Sequence, residues 1–146
     1  MLTESEAKKL RLSASFTLWE FIYSEKSIEK GLMIHQLSIT EKEILNLKRL
    51  CVNILQPLRN ELKLPIRINS GYRSDLLNKE LCGSNTSDHL NGKAADIYVP
   101  GKMEAAFYFI KNRCSFKQLI NENGLAWIHV SYDEFDNRKE ILNLKT

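Results

Sequence analysis

Apolar residues recur every three or four positions from Ile44 through Leu47, Leu50/Cys51, Ile54 and Leu58 to Leu62. That period draws one stripe down a helix. It predicts the longest helix of the chain, opening at a Thr40-Glu41-Lys42-Glu43 capping box and running to about Lys63. Pro57 falls inside the pattern, removes one amide donor and predicts a kink or an early end; Leu64-Pro65 stops the helix in any case. Upstream, Thr17-Leu18-Trp19-Glu20 is another capping box, with Leu18, Phe21 and Ile22 along one face. A second short turn covers Ser24 to Lys30 and ends at Gly31. Residues 1–14 predict a short helix or a frayed arm, and residues 32–39 a loop containing His35.

After residue 65 the period shortens. Ile66 to Ser70 alternates and predicts a strand, with Gly71 allowing a sharp turn into Tyr72-Arg73-Ser74. Ser74 caps a helix from Asp75 to Cys82 that Gly83 closes. A polar loop from Ser84 to Lys93 follows, then a strand from Ala94 to Val99 that ends at Pro100-Gly101. Met103 to Arg113 is a helix with Ala106, Phe107, Ile110 and Cys114 inward. Phe116–Asn121 and Leu125–Tyr132 predict two strands around an Asn123-Gly124 hairpin turn, and Arg138–Leu144 an edge strand. Helices early and strands late, on short connections, predict an α+β fold in which helices cover one face of an antiparallel sheet. No linker or internal repeat divides the chain, so one domain over residues 1–146 is expected.

Composition narrows the function classes. At 43% hydrophobic and 27% charged the chain builds a core and is not disordered. A net charge of +3 suits an anionic target such as a bacterial wall, and is also an ordinary surface charge. Lys/Arg runs stop at two and no aromatics interleave with them, which argues against nucleic acid. Cys51, Cys82 and Cys114 are odd in number and lack CxxC spacing. They predict free thiols, two in the core and one at a helix end, and synthesis in a cytosol. The amino terminus is polar and acidic, unlike a secretory signal, and no apolar run nears the ~20 residues of a membrane helix. A monomer without membrane insertion is expected.

Candidate chemistry lies in two stretches. Ser84 to Asp96 holds His89 and Asp96 with Gly92 between them, and Trp127-Ile128-His129-Val130-Ser131 holds a second imidazole. Alternation sets Asp96 on a face with Ala94 and Tyr98, opposite the apolar Ala95, Ile97 and Val99. His129 shares its face with Trp127 and Ser131. If these strands are neighbours, Asp96 and His129 meet across the sheet, and His89 closes on them from its loop. Each residue alone has an ordinary structural role. Together they supply three ligands, the number a catalytic zinc takes while one position stays open to water.

Ser70-Gly71-Tyr72-Arg73-Ser74, Asn78, Gly83-Ser84, Ser87-x-His89-x-x-Gly92-x-Ala94-x-Asp96 and Trp127-Ile128-His129-Val130-Ser131 resemble the zinc D-alanyl-D-alanine carboxypeptidase family. Phe16-Thr17-Leu18-Trp19-Glu20 and Leu55-Gln56-Pro57-Leu58-Arg59 extend the likeness to roughly residues 13 to 133. The resemblance implies a hedgehog-like fold and hydrolysis of peptidoglycan stem peptides, as a DD-carboxypeptidase or an L-alanyl-D-glutamate-type endopeptidase. It implies Zn2+ on His89, Asp96 and His129. Arg73 would bind a substrate carboxylate or steady the oxyanion, with Ser87 and Trp127 against the peptide. Relatives often carry an acid three positions before the last histidine; here that residue is Ala126. The general base is then Glu122, from the preceding strand, with Asp88 as its competitor. Glu122 is favoured because a residue directly beside a ligand points away from it. A phage endolysin is implied, made in the host cytoplasm and acting on the wall after release by another protein. The alternative is an inactive wall-binding or structural virion protein of the same fold.

Overall fold

The structure is a computed structural model that describes residues 1–145. Thr3 and Glu6 satisfy each other's backbone amides at 3.1 and 3.0 Å, so the amino-terminal arm is a capped helix, α1 (Glu4–Lys9). A small hairpin of β1 (Arg11–Ser13) and β2 (Phe16–Thr17) leads into α2 (Leu18–Ile22), where the Glu20 carboxylate accepts the Thr17 amide at 2.8 Å. Ser24 accepts the Ser27 amide at 3.3 Å and opens α3 (Glu25–Glu29). The stretch expected as a loop contains α4 (Met33–Leu37). Its buried residue is the polar Gln36, so hydrophobic periodicity does not mark it.

The long helix is α5 (Glu41–Leu50), a π-helical turn (Cys51–Leu55) and α6 (Gln56–Leu62), ended by Lys63 in the left-handed region at φ 56°. The π turn sits just ahead of Pro57, so the missing amide falls where the ladder is already rearranged. Its expected capping box does not form: Thr40 makes no side-chain cap hydrogen bond. The Glu43 side chain turns inward instead, and its Oε2 is buried.

The second half supplies β3 (Arg67–Ser70), α7 (Asp75–Glu80), a 3-10 turn (Asp88–Asn91), β4 (Ala94–Tyr98), α8 (Met103–Arg113), β5 (Gln118–Glu122), β6 (Trp127–Ser131) and β7 (Glu140–Leu144). The five-stranded sheet has the order β3-β4-β6-β5-β7. Its first three pairings are antiparallel as expected, but β7 runs parallel to β5, from Gln118 opposite Glu140 to Glu122 opposite Leu144. A strand that returns from the end of β6 and passes over to the far side of β5 must run in the direction of β5. Ala95, Ile97, Leu119, Ile128 and Val130 bury one sheet face against Phe21, Leu47, Leu50, Ile54, Leu58 and Ile110. The fold is therefore α+β with its helical layer on one face. The other face carries Asp96 and His129.

Two glycines act by close approach where the sequence suggested turns. Gly71 is not in the left-handed region. A Cβ there would stand 2.6 Å from the Phe21 carbonyl oxygen, which also accepts the Tyr72 amide at 2.8 Å. After α7 the left-handed residue is Cys82, at φ 56°, while a Cβ on Gly83 would stand 2.0 Å from Asn78 Oδ1. Gly71→Ala should therefore force α2 and β3 apart. The expected loss is about 1–3 kcal/mol in urea-induced unfolding; a variant as stable as the parent would show that this approach is not tight.

Candidate metal centre

Asp96 and His129 are direct partners in the β4–β6 ladder, with Asp96 Oδ1 3.0 Å from His129 Nδ1. His89 reaches the same oxygen from the 3-10 turn, Nε2 to Oδ1 3.3 Å, and is only 3% exposed. The two imidazole centroids are 5.2 Å apart. One donor atom from each of the three residues lies within 4.8 Å of the others, as a single bound cation requires.

The protonation of His89 follows from its other nitrogen. Nδ1 lies 2.7 Å from the carbonyl oxygen of Gly71, which can only accept. The proton of a neutral ring therefore sits on Nδ1, and the lone pair of Nε2 faces the Asp96 carboxylate. Two acceptors 3.3 Å apart repel unless a proton or a metal cation stands between them. This donor set fits a metal ion, with Gly71 as the outer partner that orients the ligand.

The backbone around His89 is held from three sides. Arg73 donates its amide to the His89 carbonyl at 3.0 Å. Ser87 Oγ accepts the His89 amide at 3.2 Å, so the hydroxyl expected against substrate caps the turn. Gly92, at φ 71°, leaves room for the Glu43 carbonyl of α5, and Asn46 Nδ2 donates to the Asn91 carbonyl at 2.9 Å. Gln36 was not foreseen and braces the whole 70–74 segment. Its amide donates to the carbonyls of Ile22 and Tyr72 and accepts the Ser74 amide, each at 2.8 Å. A polar residue in an unmarked stretch carries no sequence signal of such a role.

Arg73 is anchored through all three guanidinium nitrogens: Nε to Ser70 Oγ at 2.9 Å, Nη1 to Asn78 Oδ1 and Nη2 to Asp96 Oδ2, both at 3.3 Å. Burial alone would raise the Asp96 carboxyl. The hydrogen bonds from His129 and, when its Nε2 also carries a proton in the metal-free protein, from His89, with the charge those rings then carry, outweigh burial and hold it well below the usual carboxylate range.

The remaining expected residues border one cleft of about 840 Å³ beside this cluster, among them Ser87, Asp88, Glu122 and Trp127. Asp88 is engaged by Lys117 Nζ at 3.0 Å; nothing in the sequence pairs these two. Glu122 stands opposite Trp127 on the face that carries His129, and among the described residues its carboxylate has no hydrogen-bond or ion-pair partner.

The lowered Asp96 carboxyl makes metal-free stability depend on acid. An ionised Asp96 stabilises the fold above its unfolded value of about 3.9, and that contribution is lost as pH falls below it toward the lower folded value. Urea midpoints of the metal-free protein should drop over that window, and Asp96→Asn should flatten the drop. An unchanged acid slope in the variant would remove Asp96 as its source.

A family model described as peptidase M15 matches residues 14–131. No curated protein matches the chain. The matched stretch spans most of the sequence and includes His89, Asp96, His129 and the Gly71 carbonyl that orients the first of them. By that extent of match the chain belongs to the peptidase M15 family.

Proposed function

We propose that this peptidase is a zinc enzyme acting on the peptides of peptidoglycan. The observation that carries the reading is the convergence of His89, Asp96 and His129, with one His89 lone pair forced toward the other two donors. Two imidazoles and one carboxylate suit zinc among the common divalent ions. Bound zinc supplies Lewis acidity, which makes water a competent nucleophile near neutral pH.

Glu122 is the proposed general base. Its carboxylate is unengaged among the described residues and lies on the same face as His129, while Asp88 is neutralised by Lys117. Glu122 takes a proton from the attacking water and returns it to the leaving amine. One water is consumed, the C–N bond breaks, and a carboxyl and an amino group result. Arg73 holds positive charge at the edge of the cluster, where it can steady a developing oxyanion.

The wall substrate rests on the motif resemblance, and the net charge of +3 agrees with an anionic polymer. Action at the wall of a phage host, after release from its cytoplasm, rests on the same analogy. Among the described residues no helix is long and apolar enough to cross a membrane. Ala126, where relatives often carry an acid, favours a second reading: a wall-binding or virion part without catalysis.

Purified protein should hold about one zinc per chain, and a chelator should stop release of new amino groups from purified sacculi. Glu122→Gln should lower kcat by about 100-fold or more with zinc content unchanged, and Asp88→Asn by less than about tenfold. Tight binding to sacculi without new amino termini would select the second reading.

A further inference from the structure

The metal cluster sits where two clefts meet. One is the cleft of about 840 Å³ that runs toward Ile120, Glu122 and the tail strand at Glu140 and Leu144. The other, of about 740 Å³, runs the opposite way between β3 and the Tyr23–Lys26 segment. They share Arg73, Asp96 and Trp127. Each has the size that ordinarily takes a whole small ligand. Neither flank of the cluster is walled off.

The second cleft has an unusual side. Among the described residues β3 is a terminal strand of the sheet, paired with β4 on one edge and with no strand on the other. That free edge faces the groove, and Ser70 at its end is the ladder partner of Asp96. An extended peptide laid there would gain main-chain hydrogen bonds as an added strand and run directly onto the cluster.

The charges argue in the same direction. An enzyme that removes a terminal residue needs a cation beside the cut bond for the free carboxylate. Here Arg73, anchored on Ser70, Asn78 and Asp96, is the group assigned to the oxyanion, Lys117 is paired with Asp88, and Arg138 with Asp136. Arg67 lines the groove without a carboxylate partner among the described residues, over the Tyr98 ring at 5.7 Å. It lies three residues from Ser70, roughly 10 Å along the strand. It would meet a carboxylate well away from the cut.

We infer that the enzyme is an endopeptidase: it takes an extended acidic peptide across the sheet, one flank along the free edge of β3 and the other toward β7, and cuts an internal bond. This rests on the peptidase reading above.

Zinc-loaded protein incubated with purified sacculi tests it by product. New internal amino termini without free amino acids are expected. Release of single carboxyl-terminal residues, with no internal termini, would overturn the endopeptidase while leaving the peptidase intact. No product of either kind would sink both. The binding mode is read on zinc-loaded Glu122→Gln protein with a soluble stem peptide, its occupancy followed by calorimetry. Amide exchange in residues 67–70 should slow by about tenfold or more on saturation. Arg67→Glu in the same background should weaken that peptide about tenfold, and much less once the peptide's carboxylates are amidated. A saturated complex with unprotected β3 amides would overturn the strand-addition mode.

Discussion

The Gly71 carbonyl determines the chemistry of the cluster. Because it accepts from Nδ1 of His89 at 2.7 Å, the other nitrogen of the neutral ring presents its lone pair to Asp96. The same residue has no room for a side chain, since α2 packs against its backbone. Helix packing, backbone position and ligand orientation are therefore one constraint. Gln36 extends it: three hydrogen bonds from one buried amide tie α2, α4 and the 70–74 segment together. Loss of a partner in such a buried set costs more than an average hydrogen bond contributes. The helical layer thus does more than cover the sheet. It sets where the carbonyl stands.

Much of this was legible from period and alternation. The long apolar stripe became α5 and α6, and the two-residue alternation in β4 and β6 placed Asp96 and His129 on one face before their pairing was known. Alternation works here because the core face of each strand is wholly apolar, so a one-residue slip would bury a carboxylate. What stayed hidden shares a physical cause. α4 packs through Gln36, and polar burial has no period. Lys117 and Asp88 lie far apart in sequence and meet only through the fold. Gly71 and Gly83 read as turn residues because a sequence cannot distinguish a glycine needed for its dihedral angles from one needed for its missing side chain. The tail strand was visible as a strand, but its direction depends on which neighbour it passes.

The two faces of the sheet divide the work. One is sealed by fully buried aliphatic residues and the helices. The other holds an ionised carboxylate, two imidazoles and a guanidinium, each partnered by the others or by the backbone. Placing the three donors on two adjacent central strands and a turn packed over them gives the cluster a rigid base, which a metal site requires.

The π turn in the long helix has a separate bearing on how this chain can vary. Cys51, Ile54 and Leu55 are all fully buried there and continue the spacing of Leu47 and Leu50 toward Leu58. Each residue of an α-helix advances the phase by about 100°. A π turn closes i→i+5 instead of i→i+4 and so holds one residue more than an α turn; excising one position from 51–55 would let it relax to ordinary winding with Leu58 and the residues after it still facing the core. A one-residue deletion in α5 or α6 would instead rotate everything after it off the core by that angle, so the turn is where this helix can change its length by one.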